Sequence, residues 1–395
     1  MGFQPALHCS AIDPSMNRIL PSVLFALAIL ATPARASALP VPPPPQLDSR
    51  AWLMIDAHSG VALAEKDPDA RVEPASLTKL MTAYLVFTAL KEGRLKLDQT
   101  LPVSDRAWRM EGSRMFLDPR RPASVDDLLK GLIVQSGNDA CVVLAEALAG
   151  SEEGFAAMMN QMARRLGMSN THFVNSTGLP HAQHYSSARD LVRLAHALIR
   201  DFPEHYAKYY SMREFTWSGI TQPNRNRLLW MDSYVDGLKT GHTQSAGFCL
   251  VASARRDNRR LISVVLGAGS DAARAMQSQQ LLNYGFQFYE TVKLYDPNHA
   301  VSSLRVYKGK SSQVEVGFPH DFYITVPRGG ASRVQAEVIS QQPLLAPIDR
   351  GQRIATLRLS LDGKVVGEYP MQALDGVKVS GLLGRLWDGI LLWFK

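Results

Sequence analysis

Residues 74–82 read Pro-Ala-Ser-Leu-Thr-Lys-Leu-Met-Thr. Ser76 opens a helix, because Leu77, Leu80, Met81, Tyr84 and Leu85 recur at helical spacing and Gly93 supplies a stop. On that helix Lys79 stands one turn after Ser76 on the same face, so its amine reaches the serine hydroxyl. Upstream, two short apolar runs at 51–56 and 60–64, split by a turn-like Asp-Ala-His-Ser, predict a β-hairpin. Downstream, Ser124 with Asp127 predicts a capped helix through residue 133, and a second helix runs from about 139 to 149. Ser136-Gly137-Asn138 then sits in the tight break between the two. A further helix covers 190–199, and strands follow at 214–217, 235–240, 248–253 and 261–266 before helical spacing returns at 272–288. Helices flanked in sequence by strands of one antiparallel sheet make an α+β domain, expected over residues 51–289.

Beyond residue 289 the periodicity changes to short alternating segments broken by Gly, Pro and Asp, the pattern of a small all-β domain over 290–375. Residues 376–395 differ again. Val379, Leu382, Leu383, Leu386, Trp387, Ile390, Leu391, Trp393 and Phe394 are apolar, while Lys378, Arg385, Asp388 and Lys395 carry charge. The charges and the length argue against a spanning helix. Tryptophans on a partly amphipathic terminal helix suit a bilayer interface, with docking on the β domain as the alternative.

The start of the chain has the wording of an export signal, expected over 1–38. Arg18 precedes an apolar run at 19–31, and small-x-small sites follow at 34–36 and 36–38. The residues before Met16 are unusual for such a signal, which suggests translation from Met16. A Pro-rich linker at 39–50 joins this leader to the first domain. The 395 residues, 46% apolar and 20% charged, describe a globular protein with room for two domains. A formal charge of +7 without basic runs interleaved with aromatics excludes a nucleic-acid reader and leaves room for attraction to anionic membranes or cell-wall polymers. Of the three cysteines, Cys9 leaves with the signal. Cys141 and Cys249 read as small buried hydrophobes, and whether they pair is open.

Three short motifs carry the chemistry: Ser76-Leu77-Thr78-Lys79, Ser136-Gly137-Asn138 and Lys239-Thr240-Gly241. Each alone is weak, but the first begins a helix, the second lies between helices and the third ends a strand. A serine hydroxyl needs a base to take its proton as it attacks. Lys79 can be that base if burial and a neighbouring cation such as Lys239 keep it neutral part of the time. Ser76 at a helix N-terminus also places backbone N–H groups where an oxyanion would form. Ser136 can relay a proton to a leaving amine, Asn138 can hydrogen-bond a peptide, and Lys239 on an edge strand can attract a carboxylate while the strand pairs with an extended substrate. His181 and His184 have no acidic or thiol partner near them in sequence, so no metal and no cofactor are expected.

The ordered motifs resemble those of penicillin-binding proteins and serine β-lactamases. Their surroundings at 74–82, Gln222-Pro223-Asn224-Arg225-Asn226 with Leu228-Leu229-Trp230, and residues 235–243 are similar to the low-molecular-mass D-alanyl-D-alanine carboxypeptidases. The resemblance implies a β-lactamase/transpeptidase-like catalytic domain, a small β domain and an amphipathic anchor on the periplasmic face of the cytoplasmic membrane. It implies Ser76 as acylated nucleophile, Lys79 as base, Ser136 and Lys239 in the proton relay, and Asn138 as substrate ligand. Thr240, Gly241 and His242 would line the substrate, with the backbone N–H groups of Ser76 and His242 forming the oxyanion hole. Arg225 or Arg274 would hold the terminal carboxylate, although the glycine-rich stretch before Arg274 departs from the family's usual wording. The expected substrates are peptidoglycan stem peptides, with β-lactams as covalent inhibitors. A class A β-lactamase would need a carboxylate to drive water onto the acyl-enzyme, and the chain has no Glu-x-x-Leu-Asn. An endopeptidase on crosslinked peptides would use the same site, and a non-catalytic wall-binding scaffold would not need an activated serine.

Overall fold

A computed structural model describes residues 41–393. The expected export signal at 1–38 lies outside the described residues. The rest divides into two compact units, one spanning Pro42–Tyr289 and one built from residue 290 onward.

The first unit is organised on a five-stranded sheet in the order Ala62–Lys66, Ala51–Asp56, Arg259–Ala268, Gly247–Arg256, Val235–Thr243, with every neighbour antiparallel. Residues 249–254 and 261–266 are buried without alternation, so both faces of the central strands are covered. Helices Ala188–Asp201 and Asp271–Phe288 pack on the sheet. The Val235–Thr243 strand remains at the edge, with its outer side available.

Helix Lys79–Lys91 is buried on nearly all sides, as an apolar helix inside a core must be. It runs through a cluster that includes Leu129, Val142, Leu144, Leu191 and Val264. Serine caps fix where several helices begin: Ser124 accepts the N–H of Asp127, Ser187 that of Asp190, and Ser270 that of Ala273.

Two details differ from the sequence reading. Ser76 sits in a 3₁₀ turn, Ala75–Thr78, and the α-helix proper begins at Lys79. The helix expected to reach residue 133 ends as α-helix at Lys130 and continues as a wider π-type turn over Gly131–Gln135. That turn delivers Ser136 in a left-handed conformation, φ 66°. Helix Glu152–Arg165 and strand Ile220–Pro223, which pairs with Glu214–Trp217, add to the elements read from the sequence.

In the second unit a six-stranded sheet runs Val334–Ile339, Arg353–Leu361, Lys364–Ala373, Gln313–Gly317, Ala300–Tyr307, Leu344–Leu345. Val316, Leu357, Leu359 and Met371 centre its core, and the rings of Phe318 and Phe322 stack at 4.1 Å. The chain ends in helix Leu382–Trp393, whose Asp388 accepts the backbone N–H of Lys308. Its apolar side chains face outward: Leu382, Leu383 and Trp393 are 78%, 85% and 89% exposed. Among the described residues no helix is long and apolar enough to cross a membrane.

Candidate active site

The three motifs converge on one cleft of about 660 Å³, lined by Ser76, Ser136, Asn138, Thr240, Gly241, His242, Arg225 and Arg274 among others. The turn that presents Ser76 is tightly boxed. Ala75 takes a left-handed conformation at φ 47°, and a Cβ on Gly178 would fall 1.8 Å from the Ala75 carbonyl oxygen. A Cβ on Gly241 would lie 3.2 Å from the Ser76 nitrogen. Glycine is therefore required at 178, where φ is also +85°, and the edge strand reaches the Ser76 backbone only because 241 has no side chain.

Lys79 is fully buried, with its Nζ 3.0 Å from Ser76 Oγ, 2.8 Å from Asn138 Oδ1 and 2.6 Å from the Thr177 carbonyl. The Asn138 amide is oriented by its Nδ2, which donates to the Glu111 carbonyl at 2.6 Å. Carbonyl oxygens can only accept. When Lys79 is neutral, its two hydrogens stay on Asn138 and Thr177, and its lone pair faces Ser76. In that state the geometry aims an amine lone pair at the Ser76 hydroxyl. Burial pushes the Lys79 ammonium below its ordinary pKa and the charge of Arg225 acts the same way, while Asp139 and Glu152 oppose them.

Lys239 lies in the same buried layer and donates to the Thr240 carbonyl at 3.1 Å. Burial, followed by the charges of Lys79, Arg225 and Arg274, drives its pKa well down. Ser136 Oγ is buried without a hydrogen-bond partner among the described residues. Such a group costs about 1–3 kcal/mol, and its backbone conformation adds strain of about 1 kcal/mol or more.

Arg274 is buried. It donates to the Gly241 carbonyl at 3.0 Å and pairs with Asp271, which also takes Arg227 at 2.5 Å. Arg225 is exposed on the cleft wall and makes no ion pair among the described residues, leaving its guanidinium open to an incoming anion. His242 is exposed and its ring lies against Phe248, centroids 4.0 Å apart and tilted by 31°. Cys141 and Cys249 are free, buried thiols that burial pushes to about 12 and about 11, too high for thiolate chemistry. Among the described residues no group of three His, Cys, Asp or Glu side chains could hold a metal.

Residues 38–270 match the family model described as D-alanyl-D-alanine carboxypeptidase, and residues 289–379 match that of the penicillin-binding protein 5 C-terminal domain. This chain belongs to the D-alanyl-D-alanine carboxypeptidase family. It is 44% identical over 358 residues to D-alanyl-D-alanine carboxypeptidase DacC of Escherichia coli K12, covering 89% of each chain. The DacA protein of the same organism is 41% identical over 362 residues, 90% of each. The crystal structure of penicillin binding protein 5 from Haemophilus influenzae superposes with a TM-score of 0.82 at 41% identity, covering 85% of this chain and 99% of that one.

Around the motifs of this family member stand residues that the sequence reading missed. Asp139, buried beside Asn138, accepts the backbone N–H groups of Met115 (3.0 Å) and Leu117 (3.1 Å) and so pins the loop that forms one cleft wall. Asn175 Oδ1 accepts the N–H groups of Thr177 and Gly178 and the Thr177 hydroxyl, shaping the turn that meets Lys79. His184 Nδ1 accepts the Val174 N–H at 3.2 Å, so its Nε2 carries the hydrogen and donates to Thr78 Oγ1 at 2.8 Å. Glu152 grips Ser176 from the first turn of its own helix. All four are polar residues in loops or helix starts, where a sequence offers a capping or turn explanation first.

Proposed function

We propose that this protein is a serine D,D-carboxypeptidase that releases the terminal D-alanine of peptidoglycan stem pentapeptides through an acyl-enzyme on Ser76. The observation that carries this reading is the Lys79 amine, whose other two partners are carbonyl oxygens and whose lone pair is therefore directed at Ser76.

In this scheme the stem peptide lies along the edge strand Val235–Thr243, and Arg225 or Arg274 receives its terminal carboxylate. Lys79 takes the Ser76 proton as Oγ attacks the penultimate carbonyl, and the backbone N–H groups of Ser76 and His242 stabilise the oxyanion. Collapse breaks the peptide bond; the Ser136 hydroxyl, which has no hydrogen-bond partner among the described residues, passes its proton to the departing D-alanine amine and is reprotonated with the proton that Lys79 took from Ser76, Lys239 lying beside the relay. Water then releases the shortened peptide and restores Ser76. A β-lactam acylates the same oxygen. Asn138 serves twice, holding Lys79 and facing the substrate.

The protein acts after export, at the periplasmic face of the inner membrane, with the catalytic, β and anchor regions at 51–289, 290–375 and 376–395. The outward apolar side chains of helix Leu382–Trp393 support peripheral attachment to the bilayer surface. Incubation with a pentapeptide ending in D-Ala-D-Ala, a crosslinked dimer and a chromogenic β-lactam tests the whole assignment. D-alanine release with slow β-lactam turnover is expected. Cleavage of the dimer alone would make it an endopeptidase, rapid β-lactam hydrolysis a β-lactamase, and no reaction a scaffold.

A further inference from the structure

A second cleft of about 490 Å³ opens beside the first, and one loop divides them. Gly112 and Ser113 line the candidate active site, whereas Arg114, Phe116 and Asp118 line the neighbour. The same division holds one residue apart on the helix behind: Asn138 lines the first cleft and Asp139 the second. Because Asp139 holds Met115 and Leu117 by their backbone N–H groups, the dividing wall is fixed.

Its lining is unusual for a surface that only faces water. Phe116 is 48% exposed and in a left-handed conformation at φ 66°, and Trp108 is 47% exposed. Backbone strain at an aromatic residue with half its surface in water is an outlier of the kind that gathers at ligand sites. The Arg114 guanidinium lies 5.4 Å from the Phe116 ring centre, and Arg120 forms a two-pronged pair with Asp118 at 3.0 and 2.9 Å. Arg114 and Arg120 are balanced by Asp118 and Asp139. The lining therefore suits a ligand that is uncharged, rich in hydrogen-bonding groups and apolar on one face. A pyranose ring has those properties; an acidic stem peptide does not.

We propose that this cleft is a subsite for the N-acetylated hexosamine glycan of peptidoglycan, with Trp108 and Phe116 as stacking platforms. It rests on the carboxypeptidase reading for its context, since a stem peptide in the first cleft would carry its attached sugars past the dividing loop. It predicts that the enzyme prefers peptides still joined to glycan.

The test uses the full chain with Trp108→Ala and Phe116→Asn, asparagine being tolerated at positive φ. Peptide-free glycan strands are titrated while tryptophan emission is followed, and KM is measured for a free pentapeptide and for the same peptide on a disaccharide. Glycan binding is expected in the parent. Each variant should weaken it about tenfold and raise KM for the disaccharide substrate by a similar factor, as loss of one aromatic contact surface implies, with the free pentapeptide unaffected. Absence of glycan binding, binding indifferent to both variants, equal losses on both substrates, or displacement of the signal by free stem peptide would each overturn the subsite. Glycan binding without any pentapeptide turnover would keep the subsite and remove the carboxypeptidase reading.

Discussion

One carboxylate oxygen of Glu152 accepts both the backbone N–H (3.1 Å) and the hydroxyl (2.8 Å) of Ser176, and the next residue, Thr177, gives its carbonyl to Lys79 at 2.6 Å. The other Glu152 oxygen takes Arg106 at 2.7 Å. A buried acid thus positions the turn that holds the Lys79 amine, and its charge favours the protonated amine. Glu152→Gln keeps an acceptor but removes that charge. Lys79 would then lose its proton more easily, so the acid limb of the pH profile for β-lactam acylation should move to lower pH. Loss of the charge-assisted contacts should cost about 2 kcal/mol of stability. A limb that stays in place would show that the field of Glu152 does not reach Lys79.

Ser76→Ala should abolish covalent β-lactam labelling, and Lys79→Ala should slow it by about 10²–10⁴-fold, the usual contribution of a general base. Intact-mass spectrometry of the time course measures both. Persistent labelling of the alanine-76 protein would place the nucleophile elsewhere.

Gly178→Ala puts a methyl group against the Ala75 carbonyl at a backbone angle of +85°. The turn bearing Ser76 must move, so we expect a loss of more than about 2 kcal/mol in denaturant unfolding and slower acylation together. Gly219, also at positive φ but with open space around it, is the control: Gly219→Ala should cost about 1 kcal/mol and leave acylation unchanged.

Burial, helped by the charges of His172, His181 and Lys79, pushes His184 down to about 4. In the unfolded chain it titrates near its ordinary 6.5, so between those values the unfolded state binds the extra proton. Stability is complete above about pH 6.5 and falls as pH drops towards 4, by up to about 3 kcal/mol. His184→Asn, whose Oδ1 can still accept the Val174 N–H, should be less stable at neutral pH and show a shallower acid loss. Urea midpoints across that range decide it, and an unchanged slope would assign the acid sensitivity to other groups.

The parts of the fold governed by local rules were legible in the sequence. The Lys79–Lys91 helix has its apolar spacing, Ser124 caps where it stands, and the short apolar runs at 51–56 and 60–64 either side of a turn give the antiparallel pair Ala51–Asp56 with Ala62–Lys66. Residues of all three motifs line one cleft, because the motifs occupy a turn that opens a helix, a break between helices and the interior of the edge strand, positions that the sheet and core fix. What could not be read depends on contacts between distant residues. Nothing local distinguishes Glu152 from an ordinary first-turn acid of a helix, yet Ser176, 24 positions later, makes it part of the site. Gly178 resembles any turn glycine until Ala75 is packed against it. The left-handed Ser136 is set by a π-type turn, which has no composition signal of its own.

The hydrogen bonds that tie this end of the chain to the β unit gather at residues 377–380, and the helix itself adds the one from the Lys308 N–H to Asp388. Val377 is buried and exchanges hydrogen bonds with Ile348 at 2.8 and 3.0 Å, Lys378 accepts from Lys310, and Ser380 donates to the Lys308 carbonyl at 2.8 Å. A cut after Gly376 would strip these pairs from the sheet edge, whereas deletion of residues 382–395 leaves them in place. Among the described residues, the deleted segment holds six strongly exposed apolar side chains, Leu382, Leu383, Leu386, Trp387, Ile390 and Trp393. Each contributes about 1.5–3 kcal/mol when moved from water to an apolar phase, so even partial insertion of this face would hold the protein on a bilayer. Flotation with anionic vesicles should carry the full chain upward and leave the shortened one in the aqueous fraction, with pentapeptide turnover equal in both. Leu386→Asp with Trp387→Asp in the full chain should reproduce the release without removing any backbone. If the shortened protein still floats, the attachment lies in another part of the molecule and the helix is a docked end of the β unit.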